Sequence, residues 1–239
     1  MKANYLFLAA YMIICFIHLY HSWMDDRAKR AKTKPFLLLF LLLYYLASAA
    51  ANENGAAPNA NSAAANVNGS INIPLVLALL TSWLGDVLLI PHGHKWFVIG
   101  GISFMFCHFF FMCVYYEQIS FHAVPWLVLL PAAVLYFGIA LRIIMAVRDN
   151  TPRKMIPPMY FYLLMNSMMN LFALMQLFSR PSAGTVTALA GAVLFYISDC
   201  CLFLVRYHRR QDLIFKKHFT VMATYLLGEF LITQGMLMI

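Results

Sequence analysis

Asp86 lies inside the apolar run TSWLGDVLLI (81–90), and Asp199 lies inside a second such run, FYISDCCLFL (195–204). Superposing the two aspartates also aligns Leu89 with Leu202 and sets a small residue, Gly85 or Ser198, just before each acid. An ionisable side chain at membrane depth costs a few kcal/mol on insertion scales and more on others, so it reads first as functional. Desolvation and a like-charged neighbour both favour the neutral form of a carboxylic acid, which makes such a pair able to give up a proton near neutral pH. Two carboxyls, one protonated and one not, open acid-labile C–O bonds through oxocarbenium-like states. A vinyl ether is cleaved by a related route: protonation at carbon, attack of water, collapse of the hemiacetal. The same acids also fit a structural role, bonded to Ser82, Ser198 or a neighbouring helix, although two acids at one level are harder to explain as glue than one.

The elements that must position these residues follow from composition. Of 239 residues, 63% are hydrophobic and 11% charged, too little polar surface to cover a soluble globule of this size. Spans of ~20 apolar residues suit a hydrocarbon core of ~30 Å. The chain reads as an all-α membrane protein with eight of them: Ala3–Trp23, Pro35–Ala51, Ile71–Ile90, Trp96–Tyr116, Val124–Val147, Pro157–Phe178, Thr185–Val205 and Phe219–Met238. Pro35 and Pro157 are expected at helix starts, where a missing N–H costs least. The first span is retained rather than cleaved, since it ends in Trp23 and a basic loop follows. Residues 52–70, rich in Asn and Ala, read as a flexible loop, and the Asn68-Gly69-Ser70 triplet within them carries little weight.

The formal charge of +8 sits in short segments between the spans, where it reports topology and contact with anionic lipid rather than nucleic acid. Connections after spans one, three, five and seven hold fourteen Lys and Arg, from Arg27 and Lys34 to Arg206 and Lys217, against Lys2 and Arg180 on the other side. Both termini are therefore expected on the non-cytoplasmic side. Spans three and seven then run the same way, four spans apart, as in two parallel four-helix repeats. The shared core of the two segments is short, and the common depth of the acids does not depend on duplication.

Counted at 1.5 Å per residue, Asp86 lies ~6 Å and Asp199 ~9 Å from the inner ends of their spans, Tyr225 ~9 Å, Asn166 ~14 Å, Glu229 ~15 Å and His108 ~18 Å. Tyr225 and Glu229 are four apart and share a helix face, as do Ser82 and Asp86. Convergence of these faces makes a polar cleft open to the cytoplasmic half of the bilayer, with Arg206 at its mouth. Other polar residues have plainer readings. Asn166 and Asn170 suit interhelical glue, and His108 suits a packed histidine as well as a catalytic one. His92 and His94 read as solvated, the Met-rich run 155–175 as a pliable lining or core, and Cys200 and Cys201 as small packing residues, none of the five cysteines having metal or disulfide spacing.

These residues resemble the lysoplasmalogenase or YhhN-type family of membrane proteins. The resemblance rests on Gly85-Asp86-Val87-Leu88-Leu89, on His108, and on Tyr162 with NSMMNLFAL (166–174). Ser198-Asp199 followed by Leu202 and Arg206, and then Thr224-Tyr225, complete it. It implies an eight-helix hydrolase that cleaves the alkenyl ether bond of lysoplasmalogens to a fatty aldehyde and a glycerophospho-headgroup, with water as co-substrate and no cofactor or metal. Carried over, the pattern makes Asp86 and Asp199 the acid/base pair, in an order left open. His108, Tyr225, Tyr162, Asn166, Ser82, Ser198 and Glu229 line the substrate site, and Arg206 contacts phosphate. This chain departs from the family in having Val205 where Asn is common and Glu229 where Gln is common. The host membrane is read as a bacterial inner membrane, or an endoplasmic reticulum if the source is eukaryotic. The rival reading is a proton-coupled lipid or small-molecule transporter using the same acids, although no pair of Gly/Pro-interrupted spans stands in corresponding places.

Overall fold

The computed structural model describes residues 3–55, 71–91, 93–210 and 212–239. Lys2, His92 and the Asn68-Gly69-Ser70 triplet lie outside the described residues, as does most of the 52–70 loop. Eight α-helices carry the described chain: α1 (Ala3–Trp23), α2 (Arg27–Gly55), α3 (Ile73–Leu88), α4 (His94–Tyr116), α5 (Trp126–Val147), α6 (Ile156–Ser179), α7 (Ala183–Tyr207) and α8 (His218–Leu237). Short 3-10 turns precede α5 and α6, and no strand occurs among the described residues.

Six helices, α1, α2, α4, α5, α6 and α7, are long and apolar enough to cross a membrane. α3 is a shorter apolar helix of 16 residues. α8 is long enough but carries Glu229 and Gln234 in its interior, and it is not among the six. The polarity is arranged inside out. Leu127, Val134 and Phe16 are 87%, 71% and 68% exposed, while Ser82, His108, Asn166, Asn170, Gln176 and Glu229 are fully buried. An apolar exterior of this extent needs lipid against it, and the polar interior needs the bundle around it. The chain thus has the make-up of an integral membrane protein.

Several expected helix ends move. α2 begins at Arg27, so Pro35 sits inside the helix and not at its start. The run RAKRAKTK is built of good helix formers, and Asp26 starts the helix early by accepting Lys29 N–H at 3.1 Å. Pro157, by contrast, occupies the first turn of α6. α3 begins after Asn72, whose side chain accepts Leu75 N–H at 2.8 Å, and it ends at Leu88 rather than Ile90.

The closest packing joins α7 to α8, then α3 to α4 and α1 to α2. Glycines explain the first. A Cβ on Gly191 would stand 2.6 Å from Gly228 O and from Ile232 N, and one on Gly235 would stand 2.6 Å from Ala188 N. Small residues two turns apart on each helix let the two backbones approach, as membrane helices do when no hydrophobic force drives them together. α1 and α2 are tied to α8 by Tyr11 OH to Leu226 O at 2.9 Å and Tyr44 OH to Gln234 Oε1 at 2.6 Å. α2 is tied to α3 by Trp83 Nε1–H to Pro35 O at 2.8 Å. The last tie sets the start of α2 beside the end of α3. Phe97 at the start of α4 meets Phe203 and Tyr207 at the end of α7 around the same end of the bundle as Leu89, the end that carries the basic connections.

Candidate active site

Two groups of buried polar side chains occupy the interior, each built around one aspartate. The first lies between α2, α3 and α8. Asp86, 2% exposed, accepts Tyr225 OH at 3.0 Å on Oδ2 and pairs with Lys34 Nζ at 3.0 Å on Oδ1. Tyr225 OH lies 2.8 Å from Ser82 Oγ, which lies 2.5 Å from Glu229 Oε1. The four-residue spacings Ser82–Asp86 and Tyr225–Glu229 set both pairs on facing helix sides, as helical geometry requires.

The second group lies between α4, α6 and α7. Asp199 Oδ2 accepts Tyr162 OH at 2.9 Å and Asn166 Nδ2–H at 2.7 Å, and His108 Nε2 stands 3.4 Å away. Asn170 supports Asn166 from one turn on, donating to its backbone and side-chain oxygens at 3.0 and 3.1 Å. Aromatic rings fill the space around both groups. Phe195, fully buried, stands edge-on to His108 at 5.1 Å and to Tyr225 at 5.4 Å, and Phe104 meets Tyr225 at 5.9 Å.

A cavity of ≈ 420 Å³ opens beside the second group at the basic end. Its wall is apolar: Leu89, Phe97, Phe104, Met159, Phe203 and others from the ends of α3, α4, α6 and α7. Tyr162 is both part of that wall and a donor to Asp199. The size falls within the range of small-molecule pockets, and the lining suits a hydrocarbon chain. Arg206 lies over the ring of Phe97, itself a wall residue, with its guanidinium carbon 3.8 Å from the ring centre.

The expected site residues are therefore distributed. Ser82, Asp86, Tyr225 and Glu229 come together, as do His108, Tyr162, Asn166 and Asp199. Ser198 does not join either group; its hydroxyl donates to Val221 O at 2.8 Å and ties α7 to α8. Arg206 also pairs with neither aspartate among the described residues; it donates Nε–H to Tyr207 OH at 3.2 Å and stands at the cavity. Among the described residues no three His, Cys, Asp or Glu side chains converge as metal ligands would. Sequence reasoning passed over Lys34, counted only among the topology-setting cations. The signal lay in its place directly before Pro35 and the apolar run, and in a helix that starts two turns earlier and carries Lys34 to the level of Asp86.

An all-helical membrane protein with two buried aspartates in separate polar groups, one of them beside an apolar cavity, is the class that fold and site define. The YhhN family model matches residues 29–236, and the chain belongs to that family. No curated protein and no solved structure matches it.

Proposed function

We propose that this protein is a membrane-embedded hydrolase of the lysoplasmalogenase type, cleaving the vinyl ether bond of alkenyl lysophospholipids to a fatty aldehyde and a glycerophospho-headgroup. Membership of the YhhN family is consistent with this reading. The observation that carries it furthest is the meeting of an apolar cavity with an acid: Tyr162 belongs to the cavity wall and bonds Asp199. The lipid chain fills the cavity from the bilayer side. Arg206, at the basic end, meets the phosphate, and the ether bond comes to rest near the two carboxyls. One aspartate protonates the alkenyl carbon and the other activates water, so that positively charged character develops where carboxylates face it.

The test is aldehyde release by purified protein from an alkenyl lysophospholipid, beside its acyl and saturated-ether analogues. Aldehyde is expected from the alkenyl lipid alone, and Asp86→Asn and Asp199→Asn should each lower kcat by about 10²-fold or more. Full turnover in both variants would overturn the assignment. Absence of aldehyde with proton-coupled uptake in vesicles would favour the transporter.

A further inference from the structure

The side chains of α3 and α8 form a file from the bundle interior toward its basic end, with the Cys107 thiol of α4 set beside Ser82 as a weak donor that brings its own proton. Glu229 Oε1 lies 2.5 Å from Ser82 Oγ, Ser82 Oγ lies 2.8 Å from Tyr225 OH, and Tyr225 OH lies 3.0 Å from Asp86 Oδ2. Lys34 Nζ closes the file, 3.0 Å from Asp86 Oδ1. A hydroxyl owns one proton and donates once, so the protons along the file can be counted.

An ammonium on one oxygen of Asp86 makes that side chain the carboxylate acceptor, and Tyr225 gives it the phenolic proton. Tyr225 then has none for Ser82, so Ser82 donates to Tyr225. Ser82 has none left for Glu229, and the proton between them must come from the Glu229 carboxyl. With both acids ionised, the oxygens of Ser82 and Tyr225 would face each other at 2.8 Å with no proton between them. Only one other single-proton arrangement keeps all three bonds, and it reverses each of them, with the proton on Asp86 and the charge on Glu229. That arrangement is the poorer one. Glu229 is fully buried, its Oε2 has no hydrogen-bond partner, and no cation pairs with it among the described residues. An unpaired buried carboxylate is far more costly than a buried neutral acid.

We infer that Glu229 is a resident protonated acid that supplies Asp86 with its proton through Ser82 and Tyr225, making Asp86 the acid of the pair and Asp199 the base. Passage along the file breaks three O–H bonds and forms three, leaving Asp86 neutral and Glu229 ionised, with every hydrogen bond kept in reverse. The catalytic part rests on the ether-hydrolase reading. Asp86 forms the new C–H bond at the alkenyl carbon, and the π electrons of C=C supply it as the oxocarbenium develops. Water forms the C–O bond while Asp199 takes its proton. On collapse of the hemiacetal, Asp199 returns that proton to the leaving alcohol oxygen. The hemiacetal hydroxyl proton passes to Asp86, and the file carries a proton back to Glu229. Asp199 suits the accepting role because its Oδ2 already accepts from Tyr162 and Asn166. Glu229 acts through Asp86 and touches no substrate.

Infrared difference spectra of the full chain in detergent at neutral pH test the proton directly. Glu229→Gln keeps a donor toward Ser82, so it should match the wild type in thermal unfolding, whereas Glu229→Leu should lose stability. A carboxylic-acid C=O band present in the wild type and missing from Glu229→Gln is expected; no such band, or an unchanged one, overturns the inference. Ser82→Ala, which removes the acceptor of that proton, should shift the band, and an unshifted band also counts against it. Gln is the residue common at this position in the family, so the supply role is specific to this chain. With the alkenyl lipid, Glu229→Gln should lower kcat by about 10²-fold while KM stays within about twofold. Wild-type kcat in Glu229→Gln would end the supply role and leave the hydrolase reading standing. If wild-type protein releases no aldehyde, the hydrolase reading falls, and the infrared band alone decides whether Glu229 holds its proton.

Discussion

Replacing Lys34 with methionine would strand the Asp86 carboxylate without its counter-charge. Breaking a buried pair from one side costs about 3–5 kcal/mol, more than removing both partners. Lys34→Met should therefore unfold at lower temperature than the wild type, and Lys34→Met with Asp86→Asn should recover much of the loss. A double variant no more stable than the single one would show that the 3.0 Å pair is not what Lys34 contributes. Tyr162→Phe removes a bond to Asp199 and little of the cavity wall. A hydrogen bond to a charged group contributes about 1.5–3 kcal/mol, and kcat/KM should fall by about tenfold or more. At this scale the sequence announced both aspartates and the two four-residue pairings, because helical periodicity fixes which residues share a face. It did not announce that they form two groups. That depends on how each helix is rotated, and rotation is set by packing between elements far apart in the chain.

The α7–α8 contact holds Ser198 against Val221, and so sets Asp199 and Tyr225 at their mutual height. Gly191→Val would drive side-chain carbons into Gly228 O and Ile232 N, which an added Cβ alone meets at 2.6 Å. Overpacking of this kind costs about 1–3 kcal/mol, and the variant should lose thermal stability together with activity. Gly138→Ala in α5, where an added Cβ meets nothing within 4 Å, should leave both unchanged. Equal losses in the two would show that the close approach at Gly191 is not what holds α7 to α8. Helix number was legible in the apolar runs, since a run of that length has few other folds available. Helix ends were less so. The basic segment before Pro35 reads as a loop by charge, yet its Ala, Lys and Arg residues extend α2 back to Arg27.

For the molecule as a whole, the hydrolase reading makes the cavity the element that decides which lipids fit. Gly101 belongs to its wall, and an added Cβ there meets nothing within 4 Å. Gly101→Leu should therefore project into the ≈ 420 Å³ space. KM for long-chain substrates should rise by about tenfold while short-chain analogues change less. An unchanged chain-length profile would move the lipid elsewhere. The cavity was not legible in the sequence, because it arises where four helix ends fail to meet. Phe195 gives the assembled interior a further property. It stands between Tyr225 and His108 and offers a proton no foothold, and among the described residues no hydrogen bond joins the Asp86 group to the Asp199 group. The ring is an insulator between two terminals. On the hydrolase reading, acid and base can stand in one bundle without discharging into each other, and the circuit closes only through a substrate and a water laid across them.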